Sequence, residues 1–273
     1  MNAVAEASRT PVTLGGARGG PDERHMRSDK WWIQPAVTFT VLTAFVAYST
    51  WAVFQNANYF VGNAQQRDLL SPFYSPCIAN GCPPGSKFSF VAHWWTLSPG
   101  ILILIVPLGF RLTCYYYRKA YYRSFWLSPP ACGVADAHGS YSGESRFPLV
   151  LQNIHRWFLY LALIFNVLLT IDAVESFRMG SNGWGMSMGT LVLCLNATAL
   201  WFYTLSCHAC RHLCGGGLNR FSAHPVRHRA WKLASKLNAK HMQLAWVSLV
   251  IVALTDVYVR LVASGAFHDP RFF

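Results

Sequence analysis

The segment Cys207-His208-Ala209-Cys210-Arg211-His212-Leu213-Cys214 closes the fourth long apolar stretch of this sequence and is its densest collection of metal-binding groups. On a helix advancing about 100° per residue, Cys207, Cys210 and Cys214 fall within a sector roughly 60° wide, with His208 and His212 in a stripe about 120° away. Two further histidines, His155 and His241, stand near the ends of neighbouring apolar segments. Thiolates are soft ligands and imidazoles borderline ones, so their gathering in one layer points to a metal or iron–sulfur site and to redox chemistry. A lone cysteine in lipid, such as Cys114 or Cys194, more often behaves as a small hydrophobe. A lone intramembrane histidine is readily explained as a helix–helix hydrogen bond. Three stripe-forming cysteines with four histidines are harder to explain as packing, because ionisable groups in a bilayer are costly and tend to mark function.

Three cofactors suit such a set. A Rieske-type [2Fe–2S] centre takes two cysteines on one iron and two histidines on the other, and it is the favoured reading. Cysteines three or four residues apart are neighbours on a helix surface, so Cys207 with Cys210, or Cys210 with Cys214, would hold one iron while His155 and His241 approach the other. A b-type haem needs two histidines on different helices at one depth, His155 with His208, His212 or His241, and has no use for the thiols. A structural zinc fits two cysteines and two histidines equally well but gains nothing from a place in a membrane. A redox site at a membrane surface needs a mobile partner, for which quinone is the natural choice. Arg156, Trp157, Gln152, Ser206, Tyr203 and Trp32 lie near the same end and offer donors and aromatic walls for it. Arg156 as a snorkelling side chain, and the tryptophans as interfacial belt residues, are the plainer explanations.

The elements that position these groups follow from composition. Of 273 residues, 53% are hydrophobic and only 12% charged, against about 25% charged in a soluble domain. Five apolar segments exceed the roughly 20 residues needed to cross a bilayer: Trp31–Phe60, His93–Tyr117, Leu149–Phe177, Trp184–Leu213 and Lys240–Val262. The expected fold is therefore an all-α integral membrane protein with five transmembrane helices in one bundle. Residues 1–30 read as a mobile cytoplasmic tail without the apolar core of a signal peptide, residues 31–264 as the membrane domain, and residues 265–273 as a short outer tail. The net charge of +12 does not require nucleic acid, because its distribution has another cause. If the five spans alternate, 17 Lys and Arg residues fall on one side and 5 on the other, with Arg156 inside a span. The positive-inside rule then places the N-terminus in the cytoplasm and the C-terminus outside. His155, Cys207 to Cys214 and His241 come to similar depth near the cytoplasmic boundary, where the aromatic and basic run Tyr115–Arg123 and the basic loop 215–239 offer a docking surface.

Toward the opposite side, Asp172, Glu175 and Asp256 offer either a proton route or ion pairs with Arg178 or Arg260, of which pairing is the favoured reading. In the first outer loop, Cys77 and Cys82 are candidates for a disulfide on the oxidising face, with two free thiols as the alternative. No internal duplication is evident, which removes the usual signature of a repeat-built transporter. A non-redox structural anchor or metal-ion transporter stands as the competing class. Transport predicts ligands at mid-depth on several helices, whereas these cluster at one end.

Three motifs carry a resemblance: Ser71-Pro72-Phe73-Tyr74-Ser75-Pro76-Cys77, His93-Trp94-Trp95 with Ser98-Pro99-Gly100, and Asn153-Ile154-His155-Arg156. Over roughly Trp31–Ser264 the chain resembles the one-chain, five-helix membrane-anchor subunit of respiratory complex II (succinate dehydrogenase/fumarate reductase), in its actinobacterial, cytochrome b-like form. The resemblance implies a multi-pass protein of the bacterial plasma membrane on which soluble flavoprotein and iron–sulfur subunits dock from the cytoplasm. It also implies electron flow from succinate to membrane quinone, no dehydrogenase active site in this chain itself, and scope for a homo-oligomer of the whole complex. Two-haem members of the family draw histidines from four helices including the first, and here the first segment has none. The cysteine-rich end of the fourth segment is likewise foreign to the haem pattern.

Overall fold

Long apolar runs in lipid must satisfy their backbone polar groups internally, which leaves the helix as the default. The computed structural model describes residues 29–62, 67–78, 97–137, 147, 149–178 and 183–273. The expected tail up to residue 28, Cys82, Lys87 and the His93-Trp94-Trp95 motif lie outside the described residues. Helix α1 spans Ile33–Gln55 and stops short of the expected Phe60, because Asn56 turns left-handed (φ 46°, ψ 34°), a conformation that asparagine tolerates. A small antiparallel hairpin follows, β1 (Phe60–Gly62) and β2 (Arg67–Leu70), with Phe60 opposite Leu70. A 3-10 turn at Pro72–Tyr74 closes this loop.

Helix α2 runs from Pro99 to Leu112 and opens with proline at its first turn, where the missing N–H costs nothing. The second segment was expected to be one helix through Tyr117, and here the structure differs. Cys114 is extended (ψ 131°), and a new helix, α3, starts at Tyr115 and runs to Tyr121. The pair is bent by 82° at that break. A 3-10 stretch, Leu149–Ile154, leads into α4, His155–Glu175. Helix α5 covers Met188–Leu205 behind a capping box in which the Ser187 hydroxyl accepts the Thr190 N–H.

The fourth segment was expected to continue through Leu213 and does not. Cys207 is extended (ψ 143°), and α6, His208–Gly215, starts afresh. Ser206 makes the break possible: its carbonyl accepts the Asn238 side-chain N–H at 2.8 Å. The amphipathic helix α7, Pro225–Asn238, packs back on α6, and α8, His241–Ala263, matches the expected fifth span. By length and composition α1, α4, α5 and α8 can each cross a membrane, and α2 with α3 gives a fifth crossing if the bent pair is counted as one span.

Helices α5 and α8 form the centre of the bundle, with 44% of each span buried, whereas α1 lies at the edge with 11%. Close approach of α2 to α4 depends on Gly109, where an added Cβ would sit 2.2 Å from the Phe158 ring. Gly109→Ala is therefore expected to destabilise the bundle by about 1–3 kcal/mol through overpacking. Denaturation of the purified variant in a graded mixture of mild and ionic detergent would measure it, and a wild-type midpoint would show that Phe158 moves aside freely.

The end of the bundle away from His155 and His241 is held by buried polar groups. Arg260 pairs with Asp256 at 2.7 Å and also donates to the carbonyls of Ala52 (2.7 Å) and Ala57 (2.9 Å). Tyr48 and Ser71 donate to the same Asp256 carboxylate, and Ser75 donates to Asp172. The expected pairing of Asp256 with Arg260 is thus present. The Ser71–Cys77 run ties the loop between α1 and α2 to α4 and α8, and Cys77 within it is disulfide-bonded.

Candidate cofactor site

The two interior histidines are set in closely parallel ways. His155, the first residue of α4, has Nδ1 at 2.8 Å from the Thr113 hydroxyl and Nε2 at 2.9 Å from the Cys207 sulfur. His241, the first residue of α8, has Nδ1 at 2.7 Å from the Ser206 hydroxyl and Nε2 at 3.3 Å from the Cys114 sulfur. Both hydroxyl protons already have acceptors: Thr113 donates to the Gly109 carbonyl at 2.7 Å, and Ser206 to the Tyr203 carbonyl at 2.8 Å. Each hydroxyl can therefore only accept from its histidine, so Nδ1 carries the proton. The lone pair is left on Nε2, facing a thiol. This is the arrangement by which an outer partner fixes a ligating imidazole's tautomer and orientation.

The cysteines are parallel too. Cys114 and Cys207 both sit at helix breaks, immediately before α3 and α6, and both are buried. Backbone N–H groups of Tyr116 and Tyr117 are directed at the Cys114 sulfur, and those of Ala209 and Cys210 at the Cys207 sulfur. Such N–H···S contacts stabilise sulfur that carries negative charge and tune the potential of sulfur-ligated clusters. The helix breaks that depart from the expected spans are thus what turn these two thiols toward the histidines.

Aromatic rings enclose the set. His155 stacks on Phe110 (4.8 Å, 6°) and His241 on Tyr203 (5.3 Å, 10°). All belong to, or adjoin, one buried cluster that also includes Tyr117, Leu159, Cys210 and Ala245. Among the described residues no three His, Cys, Asp or Glu side chains are grouped to hold a single metal ion. The donors come instead as two Cys–His pairs, His155 with Cys207 and His241 with Cys114.

The remaining residues singled out in the sequence are placed as follows. Cys210 and Cys214 lie one turn apart on α6, where burial and the neighbouring Cys214 push the Cys210 thiol up to about 11. Cys210 thus stays a neutral thiol at physiological pH and packs in the core. His208 and His212 are exposed. Tyr203 and Ser206 adjoin the histidines, whereas Trp157 is 69% and Trp32 55% exposed. Arg156 reaches Tyr160 on the exposed face at 3.2 Å, and Gln152 donates to Tyr121. These six do not gather into one pocket.

Cys114, Thr113 and Arg111 are the residues sequence reasoning missed. Their signal was depth: they end segment two at the level where His155 begins segment three. Arg111 spans the gap from α2 to α8, donating to the Tyr117 hydroxyl (2.7 Å) and the Ser248 hydroxyl (3.1 Å), and its guanidinium lies 4.7 Å from the Tyr203 ring centroid. Beside it a cavity of about 330 Å³ opens among α1, α2, α4, α5 and α8.

The bundle is that of a multi-span membrane subunit. The family model for actinobacterial succinate dehydrogenase subunit SdhC matches residues 33–265, and the chain belongs to that family. It is the membrane-anchor subunit of a succinate:quinone oxidoreductase, multi-pass in the bacterial plasma membrane. Among solved structures, a chain of the Mycobacterium smegmatis Sdh1 complex in the apo form is 46% identical, with a TM-score of 0.84 over 94% of this chain and 97% of that one. Among curated proteins, none matches.

Proposed function

We propose that this chain relays electrons from a docked iron–sulfur subunit, through a Rieske-type [2Fe–2S] cluster held by His155, His241, Cys207 and Cys114, to membrane quinone. The observation that carries this reading is the parallel pair of orientations, with each Nε2 lone pair turned toward a buried sulfur by a hydroxyl whose own proton is committed. Three of these ligands were expected from the sequence, and Cys114 takes the place assigned there to Cys210 or Cys214. The donor set, two thiols and two imidazoles, is that of a Rieske-type centre. Such a cluster, when bound, supplies one-electron transfer at a potential above that of an all-cysteine cluster.

The chain's own residues prepare the site. Thr113 and Ser206 hold the imidazoles, backbone N–H groups favour anionic sulfur, and Phe110 and Tyr203 exclude water. Overall, succinate gives up two electrons and two protons to become fumarate, and quinone takes up two of each to become quinol. The flavoprotein and iron–sulfur subunits would dock on the face carrying α3, α6 and α7, whose basic residues suit the cytoplasmic side. Gln152, Arg156, Trp157 and Trp32 lie on the surface near that end and would meet quinone as it approaches.

A haem bound by His155 and a second histidine has less support, since the Nε2 atoms of His155 and His241 already face sulfur. Low-temperature EPR of the dithionite-reduced complex, with an optical spectrum of the same sample, tests the reading. A high-potential [2Fe–2S] signal, resolved from those of the soluble subunit by redox titration and without a haem Soret band, is expected. A b-type haem spectrum without that signal would replace the cluster by haem.

A further inference from the structure

Tyr203, two residues before the end of α5, packs in the buried cluster that holds both Cys–His pairs. It is 2% exposed. Its ring is stacked on His241 (5.3 Å, 10°) and meets the edge of Phe110 (5.4 Å, 64°), the ring that stacks on His155. Tyr117 closes another side at 6.2 Å, and the Arg111 guanidinium lies 4.7 Å from the ring centroid. So enclosed, the ring cannot carry its hydroxyl out to water.

Among the described residues that hydroxyl has no hydrogen bond of ordinary geometry. An unpaired hydroxyl in a packed interior is costly and calls for a physical reason. The acceptor it approaches is the Cys114 sulfur, and both site sulfurs, Cys114 ahead of Cys207, act on it electrostatically. A neutral thiol is a weak acceptor. A metal-bound sulfur is anionic, and hydrogen bonds to charged acceptors are about twice as strong as neutral ones. The Tyr203 hydroxyl is thus placed for a thiolate rather than for a thiol. In other respects the two halves of the site match: each sulfur receives two backbone N–H groups, and each imidazole donates to one hydroxyl. Tyr203 breaks the match by offering Cys114 a third donor.

Resting on the function proposed above, we infer that Tyr203 raises the reduction potential of the centre by donating a hydrogen bond from its hydroxyl to the Cys114 sulfur. An added electron puts more negative charge on the sulfurs, so a donor aimed at one of them favours the reduced form over the oxidised. The Arg111 cation beside the ring strengthens the hydroxyl as a donor. The phenol keeps its proton in both redox states, and no bond forms or breaks at Tyr203.

The test is an EPR-monitored redox titration of the whole purified complex, with iron content measured on the same sample. Tyr203→Phe removes the hydroxyl and keeps the ring, its stacking and its contact with Arg111. Loss of one charge-assisted hydrogen bond is expected to lower the reduced-to-oxidised ratio roughly tenfold at a given ambient potential, a fall of about 59 mV for a one-electron couple. Iron content should stay at the wild-type level, and pulsed EPR should lose one strongly coupled proton. Fluorotyrosine at position 203, a better donor of nearly the same size, should move the potential upward. An unchanged or raised potential in Tyr203→Phe, or a retained proton coupling, would overturn the inference while leaving the cluster reading intact. If Tyr203→Phe loses iron, the fluorotyrosine variant decides, and no rise in its potential overturns the assignment. Absence of the cluster signal from the wild-type complex would strike the function proposed above and this inference with it.

Discussion

Replacing His155 and His241 together by alanine abolishes quinone reduction by the assembled complex while succinate-dependent reduction of an artificial acceptor continues. Each imidazole offers its Nε2 lone pair toward the site, and each is held there by a separate hydroxyl, Thr113 for one and Ser206 for the other. Removing both leaves two thiols, too few for a binuclear cluster. Loss of even an outer orienting partner typically costs 10- to 100-fold in metal affinity or activity. Removing two ligands is therefore expected to cost roughly a hundredfold or more in quinone turnover. Dye reduction needs only the soluble subunits, so the ratio of the two rates in one preparation isolates the membrane step. An assembled double variant with a wild-type ratio would show that electrons do not pass this way.

The second large effect separates the cysteines. Cys114→Ser and Cys207→Ser are each expected to eliminate the high-potential [2Fe–2S] signal, whereas Cys210→Ser and Cys214→Ser should retain it. The volumes exchanged are nearly equal, so the contrast isolates ligation from packing. It rests on the breaks before α3 and α6, which put Cys114 and Cys207 at 3.3 and 2.9 Å from His241 and His155. Signal loss in Cys210→Ser together with a normal Cys114→Ser would restore the ligand stripe read from an unbroken fourth helix.

That unbroken helix marks the limit of what was legible. Long apolar segments, a lopsided distribution of Lys and Arg, and histidines at segment ends are all visible in sequence, because each reflects the same solvent boundary. The ends of the fifth span came within a residue, since His241 and Ala263 bound an uninterrupted apolar run. The breaks at Cys114 and Cys207 left no such trace. Neither contains proline or glycine, and the one at Cys207 becomes affordable only when Asn238, on a helix arriving later in the chain, accepts the task of satisfying the Ser206 carbonyl. Local propensity therefore extended α5 by two turns too many and hid the approach of Cys207 to His155 and of Cys114 to His241. The pairing of Asp256 with Arg260, four residues apart on one helix, was by contrast readable directly. Arg111 went unremarked because a cation at the end of an apolar segment looks like an interfacial anchor until its neighbours are known.

The loop between α1 and α2 bears on how such a chain is made. Asp172 and Asp256 must enter the bilayer within α4 and α8, and an aspartate at the centre of a span costs about 2.5–3.5 kcal/mol on the insertion scale. Their partners Tyr48, Ser71 and Ser75 all precede them in sequence. As synthesis proceeds from the N-terminus, the hydroxyl donors for each acidic helix have thus left the ribosome before that helix emerges. Each carboxylate arrives to find its hydroxyl donors already synthesised, so the order of translation itself shortens the time any acid spends unsolvated in lipid.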